Sequence, residues 1–258
     1  MRKKIIIIFI LFFLVIISIK LLVVYKNNFS FVFMSYDGFQ IDGDTIVKYN
    51  KRGGNVIIPQ SVNGVTITNI ASYAFYDLDI DSIFIPNTIV NIGDYAFSKN
   101  NIKYLEIPSS VTNLGEGAFM NNLIKKIDMS NNVVLGNGCF NNNELDTKNA
   151  FFLNSYGELI SYGGKVKGNV VLDRDISVIG NKAFFDTGII SITLSDSIVS
   201  IGDYAFANNY LVDIYLPNSI KYISNSAFLN NNYLTNIFNE SDLDFVFNYD
   251  SVSVIEKK

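Results

Sequence analysis

The chain reads as a solenoid: one elongated stack of short coils, mostly β with short helical or 3₁₀ turns, preceded by a transmembrane helix. Three observations carry this. Phe75, Phe97, Phe119, Phe140, Phe184, Phe206 and Phe228 recur at intervals of 22, 22, 21, 44, 22 and 22 residues, and a fixed period of this size means units that stack on their neighbours. Five of the seven phenylalanines are followed, five residues on, by the same strand-like spacing of apolar residues. The N-terminus is an apolar run long enough to need a membrane explanation.

That run, Ile5 to Ile19 and then Leu21 to Tyr25, follows Arg2, Lys3 and Lys4. Basic residues ahead of the span favour residues 1–4 as a cytoplasmic segment and everything after Tyr25 outside. As a helix, residues 5–25 would span about 31 Å, matching a hydrocarbon core of about 30 Å. Lys20 would lie about 7 Å from the outer end, where its ammonium snorkels to the interface. The run is long for a cleavable signal and no small-residue cleavage site follows it, which favours a retained single-pass signal anchor; cleavage would make the chain secreted. Residues 26–35 form a short linker.

Within the repeat, Ile80-x-x-Ile83-x-Ile85, Ile102-x-x-Leu105-x-Ile107, Ile124-x-x-Ile127-x-Met129, Ile189-x-x-Ile192-x-Leu194 and Leu211-x-x-Ile214-x-Leu216 share one spacing. Period-two alternation sends the apolar residues to one face and the intervening ones to the other. Pro86, Pro108 and Pro217 follow the strand, where a missing N–H ends the ladder. Gly93, Gly115, Gly180 and Gly202 are expected to permit a tight bend before the segment that carries Ala and Phe. The asparagine groups Asn100-Asn101, Asn121-Asn122, Asn141 to Asn143, Asn208-Asn209 and Asn230 to Asn232 read as turn formers. Cys139 stands where the other units have Ala74, Ala96, Ala118, Ala183, Ala205 and Ala227, and reads as a small core residue.

At Ile85-Pro86-Asn87-Thr88-Ile89-Val90-Asn91-Ile92-Gly93-Asp94-Tyr95-Ala96-Phe97 and its repeats the chain resembles the BspA-like leucine-rich-repeat family of bacterial surface and secreted proteins. The resemblance covers roughly residues 36–239 and implies a leucine-rich-repeat solenoid of the α/β horseshoe class. For some members it implies adhesion or host-surface interaction. Departures occur at Leu145 to Asn149, which lacks the second apolar strand residue, and at Asp173 and Ser195, which replace proline.

Asn169 to Asp173 echoes Asn55 to Pro59, and a glycine-bearing β segment precedes each, Ser155 to Val166 and Tyr36 to Tyr49. The expected organisation is therefore an N-cap and first sub-array over 36–150, a second sub-array over 151–239 and a C-terminal cap over 240–258. Nine strands at the usual spacing would make a sheet about 40 Å long.

Beyond residue 26 the chain carries fifteen basic and twenty-four acidic side chains, a net charge of −9. This argues against nucleic acid as a partner. There is no histidine, which removes Ser-His-Asp and Cys-His nucleophiles and every His-ligated zinc site. Asp42 and Asp44, or Asp77, Asp79 and Asp81, are close enough in sequence for carboxylate chemistry or calcium, but nothing in the pattern holds them in a pocket and the glycine and distal Glu of an EF-hand loop are missing. Gly53-Gly54 and Gly163-Gly164 lack the following helix of a phosphate-binding loop. No catalytic residue, metal or cofactor is expected.

The outward strand positions remain. Phe84, Tyr104, Glu106, Lys126, Asp128, Thr193, Asp213, Tyr215 and Phe238 interleave aromatics with charges along one sheet, a plausible surface for a protein or glycan ligand. The expectation is a non-catalytic, membrane-anchored, extracytoplasmic binding module; the rival is a structural spacer in a cell-envelope complex.

Overall fold

The computed structural model describes residues 34–146, 148, 150–165, 169–172, 175–243 and 253–256. The anchor expected at residues 5–25 and most of its linker lie outside the described residues. Among the described residues no helix is long and apolar enough to cross a membrane.

Each coil has three sides. The first is the strand expected from the sequence. Gly54–Ile57 pairs in parallel with Ile80–Phe84, and Tyr104–Glu106 with Lys126–Asp128. Further on, Asn169–Val171 pairs with Ser191–Thr193, and Asp213–Leu216 with Asn236–Asn239 and then Ser253–Glu256, which closes the C-terminal end. Leu105 is buried while its neighbours Tyr104 and Glu106 are exposed, the alternation a one-sided strand requires.

The second side is a sheet the sequence analysis does not contain. Asn69–Ile70, Asn91–Ile92, Asn113–Leu114 and Val134–Leu135 stack in parallel. Val178–Ile179, Ser200–Ile201 and Tyr222–Ile223 do the same in the second half. Ile70, Ile92 and Leu114 point inward, whereas Asn69, Asn91 and Asn113 form an outer amide ladder with successive bonds of 2.8 Å. Asp44 terminates that ladder, accepting from Thr68 and Asn69.

The third side carries Ala and Phe, and here two expectations are corrected. The segment is a run of turns rather than a helical or 3₁₀ turn. Bonds alternate between the neighbouring coil (Tyr95 N–H to Glu116 O, 2.7 Å; Phe97 N–H to Ala118 O, 2.8 Å) and residue i−3 (Ala96 N–H to Gly93 O, 3.3 Å). Tyr95 sits at φ 54° and Tyr204 at φ 56°, and a left-handed residue in that place interrupts any right-handed helix. The glycines do not make this bend. Gly93 and Gly115 are needed because a Cβ there would lie 2.5 Å from Ser72 N and 2.4 Å from Asp94 N of the preceding coil. They set the closeness of coil stacking.

The core is a phenylalanine column. Phe75, Phe97, Phe119 and Phe140 stack with ring centroids 4.7, 5.1 and 6.1 Å apart, and Phe184, Phe206 and Phe228 with 5.1 and 5.4 Å. Hairpins begin both columns. Phe39–Asp42 with Thr45–Tyr49 places Tyr49 5.3 Å from Phe75, and Phe151–Leu153 with Leu159–Tyr162 places Tyr162 5.1 Å from Phe184. The second hairpin is internal, so Leu159–Tyr162 is wholly buried.

Asn141 splices the halves: its Oδ1 accepts from Tyr162 N–H (3.0 Å) and its Nδ2 donates to Lys182 O and Phe185 O (both 2.9 Å). Beside it, Cys139 is fully buried in the alanine column. Burial pushes its thiol pKa up.

Candidate functional site: the outer strand face

The coil places the outward strand residues in two columns, because parallel pairing keeps equivalent residues opposite one another. One column runs Asn55, Ser82, Tyr104 and Lys126, then Asn169, Ser191, Asp213 and Asn236. The other runs Ile57, Phe84, Glu106 and Asp128, then Val171, Thr193, Tyr215 and Phe238. All nine residues singled out from the sequence therefore belong to this face.

Their exposure differs. Phe84, Tyr104 and Tyr215 leave 56%, 70% and 60% of their surface open, and Glu106, Lys126, Asp128 and Thr193 are also exposed. Asp213 and Phe238 are only half-exposed. Asp213 accepts from Asn236 Nδ2 at 2.8 Å and Thr235 Oγ1 at 3.2 Å. Phe238 lies parallel to Tyr215 with centroids 4.4 Å apart, so Tyr215 is the more open member of a pair.

Two residues were missed. Ile57 is 70% exposed and Val171 49%, both in the first outer-face strand of their half. Their signal was present in Val56-Ile57-Ile58 and Val170-Val171-Leu172, where alternation turns the middle residue outward although all three are apolar. With them, each half of the face begins on an apolar residue and continues through aromatics.

The first half ends in charge. Beside Lys126 and Asp128 opens a cleft of about 360 Å³, floored by Ile127, Met129, Leu145 and Phe152 and edged by Lys125, Lys126 and Asp128. Nearby, Glu144 lies 3.3 Å from Lys165 Nζ and 3.6 Å from Lys125 Nζ. Lys165, with Lys125 behind it, holds the Glu144 carboxyl below the ordinary carboxylate range.

Three of the acids weighed for carboxylate or metal chemistry, Asp44, Asp77 and Asp79, are engaged in turns or hydrogen bonds. Asp77 and Asp79 occupy left-handed turn positions at φ 57° and 55°, and Asp79 accepts from Arg52 Nε at 2.6 Å. Asp44 caps the amide ladder; the Thr68 hydroxyl, ahead of Thr45 and Asn69, lowers its pKa. Among the described residues no group of three or more Cys, Asp or Glu side chains is placed to hold a metal ion.

The family model described as "BspA type Leucine rich repeat region" matches residues 53–158 and 163–250 in six copies, well over half of the chain. The chain belongs to the BspA-type leucine-rich-repeat family. Among solved structures, a leucine-rich repeat protein from Eubacterium ventriosum ATCC 27560 is similar at 19% identity and a TM-score of 0.56, covering 79% of this chain and 66% of that one. A leucine rich cell surface protein from Faecalibacterium prausnitzii A2-165 aligns at 17% identity and a TM-score of 0.38, covering 89% of this chain and 96% of that one. The Eubacterium match supports the leucine-rich-repeat fold and nothing further. No curated protein matches.

Proposed function

We propose that this BspA-type chain is a non-catalytic, extracytoplasmic binding protein of a bacterial surface, which recognises a protein or glycan through its strand face and is held in the membrane by residues 5–25. One observation carries the reading. Tyr104, Phe84 and Tyr215 are large aromatics left more than half open on the outer-strand face, each in a different short sheet, joined there by Ile57 and Val171. Aromatic side chains presented on a stiff scaffold give much contact area for little lost entropy, which is what recognition surfaces use.

The face is also long and shallow, suited to an extended ligand lying across successive strands. Its charges, Glu106, Lys126 and Asp128, sit together where the first half ends and would fix register rather than supply most of the affinity. The N-terminal apolar run supports the placement outside the membrane, with the repeats following a short linker.

The test presents the full-length chain to host matrix proteins, mucins and cell-wall glycans, alongside a Tyr104→Ala, Tyr215→Ala variant. Capture of a ligand that the variant loses, with the fold unchanged by circular dichroism, supports the reading. Capture that the variant retains moves the binding site elsewhere on the solenoid.

A further inference from the structure

A second site lies on another side of the coil, where the asparagine turns form a ridge. Each coil places one left-handed residue there: Asp77, Lys99, Asn121, Asn142, Asp186, Asn208 and Asn230, with φ between 53° and 59°. Neighbours on the ridge bond through their side chains, Asn142 Nδ2 to Asn121 Oδ1 at 2.6 Å and Asn230 Nδ2 to Asn208 Oδ1 at 2.8 Å. Between Asn142 and Asp186 the ridge is interrupted. The coil supplied by Leu159–Tyr162 runs directly into Gly163 and Gly164, without a left-handed turn residue among the described residues.

Into this interruption opens a cleft of about 420 Å³, lined by Asn121, Asn142 and Glu144 from one half, Thr187 and Gly188 from the other, and Lys165. The volume lies within the usual range for small-molecule sites, and the lining mixes amide, carboxylate and ammonium groups with apolar surface in about equal parts. These groups are oriented by one another. Asn142 donates to Asn121, and Lys165 Nζ donates to Glu144 at 3.3 Å. They keep capacity for a ligand, because an ammonium has three donors, a carboxylate about four acceptor positions and a carboxamide both functions.

The charges are mixed. Glu144 faces Lys165 and Lys125, and Asp186, whose carboxyl burial holds above the ordinary range, is bonded by Asn121 and lies near Lys99. A strongly anionic ligand would meet the Glu144 carboxylate and a cation would meet Lys165. An apolar ligand would strand the amides. A ligand whose hydroxyls each donate and accept satisfies all of them. Leu123 adds an apolar patch to the lining, and the Tyr210 ring, 57% exposed, stands 4.0 Å from where a Gly188 Cβ would be. The apolar part of the lining suits the C–H surface of a pyranose.

We propose that this cleft binds a neutral monosaccharide unit. It is separate from the strand face and does not depend on it. Saturation-transfer NMR on the full-length chain, in a detergent without a sugar head group, would use glucose, galactose, mannose and N-acetylglucosamine, with glucuronic acid and inorganic phosphate as charged controls. Asn142→Gly removes the amide yet keeps the left-handed backbone, and Glu144→Gln removes the charge at near-constant shape.

The expected result is saturation transfer to at least one neutral sugar. Each variant should weaken it about tenfold or more, as loss of a hydrogen bond or of its charge assistance implies, with the thermal midpoint within about 2 °C of the parent. The Tyr104→Ala, Tyr215→Ala variant should leave it unchanged, which separates failure here from failure of the strand-face reading. No neutral sugar signal, a signal from the charged controls alone, or neutral-sugar binding that survives both variants would overturn the proposal.

Discussion

Asn208 and Asn209 are adjacent, identical in type and predicted to differ sharply in what they contribute to stability. Asn209 is buried, at 3% exposure. Its Nδ2 donates to Phe184 O at 2.7 Å and Phe206 O at 2.9 Å, and its Oδ1 accepts from the Thr187 and Ile189 N–H groups at 3.1 Å each. It therefore ties two successive coils together at four backbone groups. Phe184 O keeps the Thr187 hydroxyl and Phe206 O keeps Asn231 Nδ2, so Asn209→Ala orphans the two buried N–H groups, and at the lower bound of about 1 kcal/mol per orphaned group the loss is about 2 kcal/mol. For a chain of this size each kcal/mol moves the midpoint by about 2–4 °C, so a fall of about 4–8 °C is expected. Asn208, at φ 58°, accepts one exposed side-chain bond, from Asn230, and otherwise needs a residue that tolerates the left-handed region, so Asn208→Gly should cost about a few tenths of a kcal/mol. Thermal unfolding of both variants, followed by far-UV circular dichroism, makes the comparison. Equal midpoints for the two variants would refute the coil-tying role of Asn209.

Other outcomes follow from the same geometry. Gly115→Ala should destabilise by about 1–3 kcal/mol, since its Cβ would sit 2.4 Å from Asp94 N and force the coils apart; urea titration measures it. Cys139 should resist Ellman's reagent in the native chain and react after unfolding, because burial keeps the thiol protonated. Asp44 has its folded pKa depressed, so its contribution to stability is present above the ordinary carboxylate value and lost as pH falls through the folded one; Asp44→Asn should shrink the acid-side loss in a pH series of melts. Peptide mapping of protein recovered from the membrane fraction should recover residues 5–25, as their retention as an anchor predicts.

Much of this architecture was legible in the sequence, for a physical reason. A solenoid places every equivalent residue in the same environment, so Phe75 through Phe228 advertise one column and Ile80 through Ile214 one strand. The outward positions followed by alternation, which is why Tyr104 and Tyr215 could be placed on one face. What stayed hidden depends on contacts between coils rather than on position within one. The short strands such as Asn91–Ile92 are only two residues long, below any periodicity signal. Gly93 looks like a bend former because glycine commonly serves that purpose, yet its reason is the backbone of Ser72 a coil away. Nothing local distinguishes Asn208 from Asn209. The second hairpin was visible as an echo of the first, but not that it would interrupt the turn ridge and open a polar cleft beside Asn142.

The central claim, recognition through the strand face, is tested most directly by placing one bulky charge on each of two sheets of the same solenoid. Thr193→Arg lies in the middle of the strand face, and Asn91→Arg in the amide ladder of the second sheet. Surface plasmon resonance of both variants against a ligand captured by the parent chain should show binding abolished by Thr193→Arg and retained by Asn91→Arg. Retention by Thr193→Arg with loss in Asn91→Arg would place the ligand on the other sheet and contradict the account.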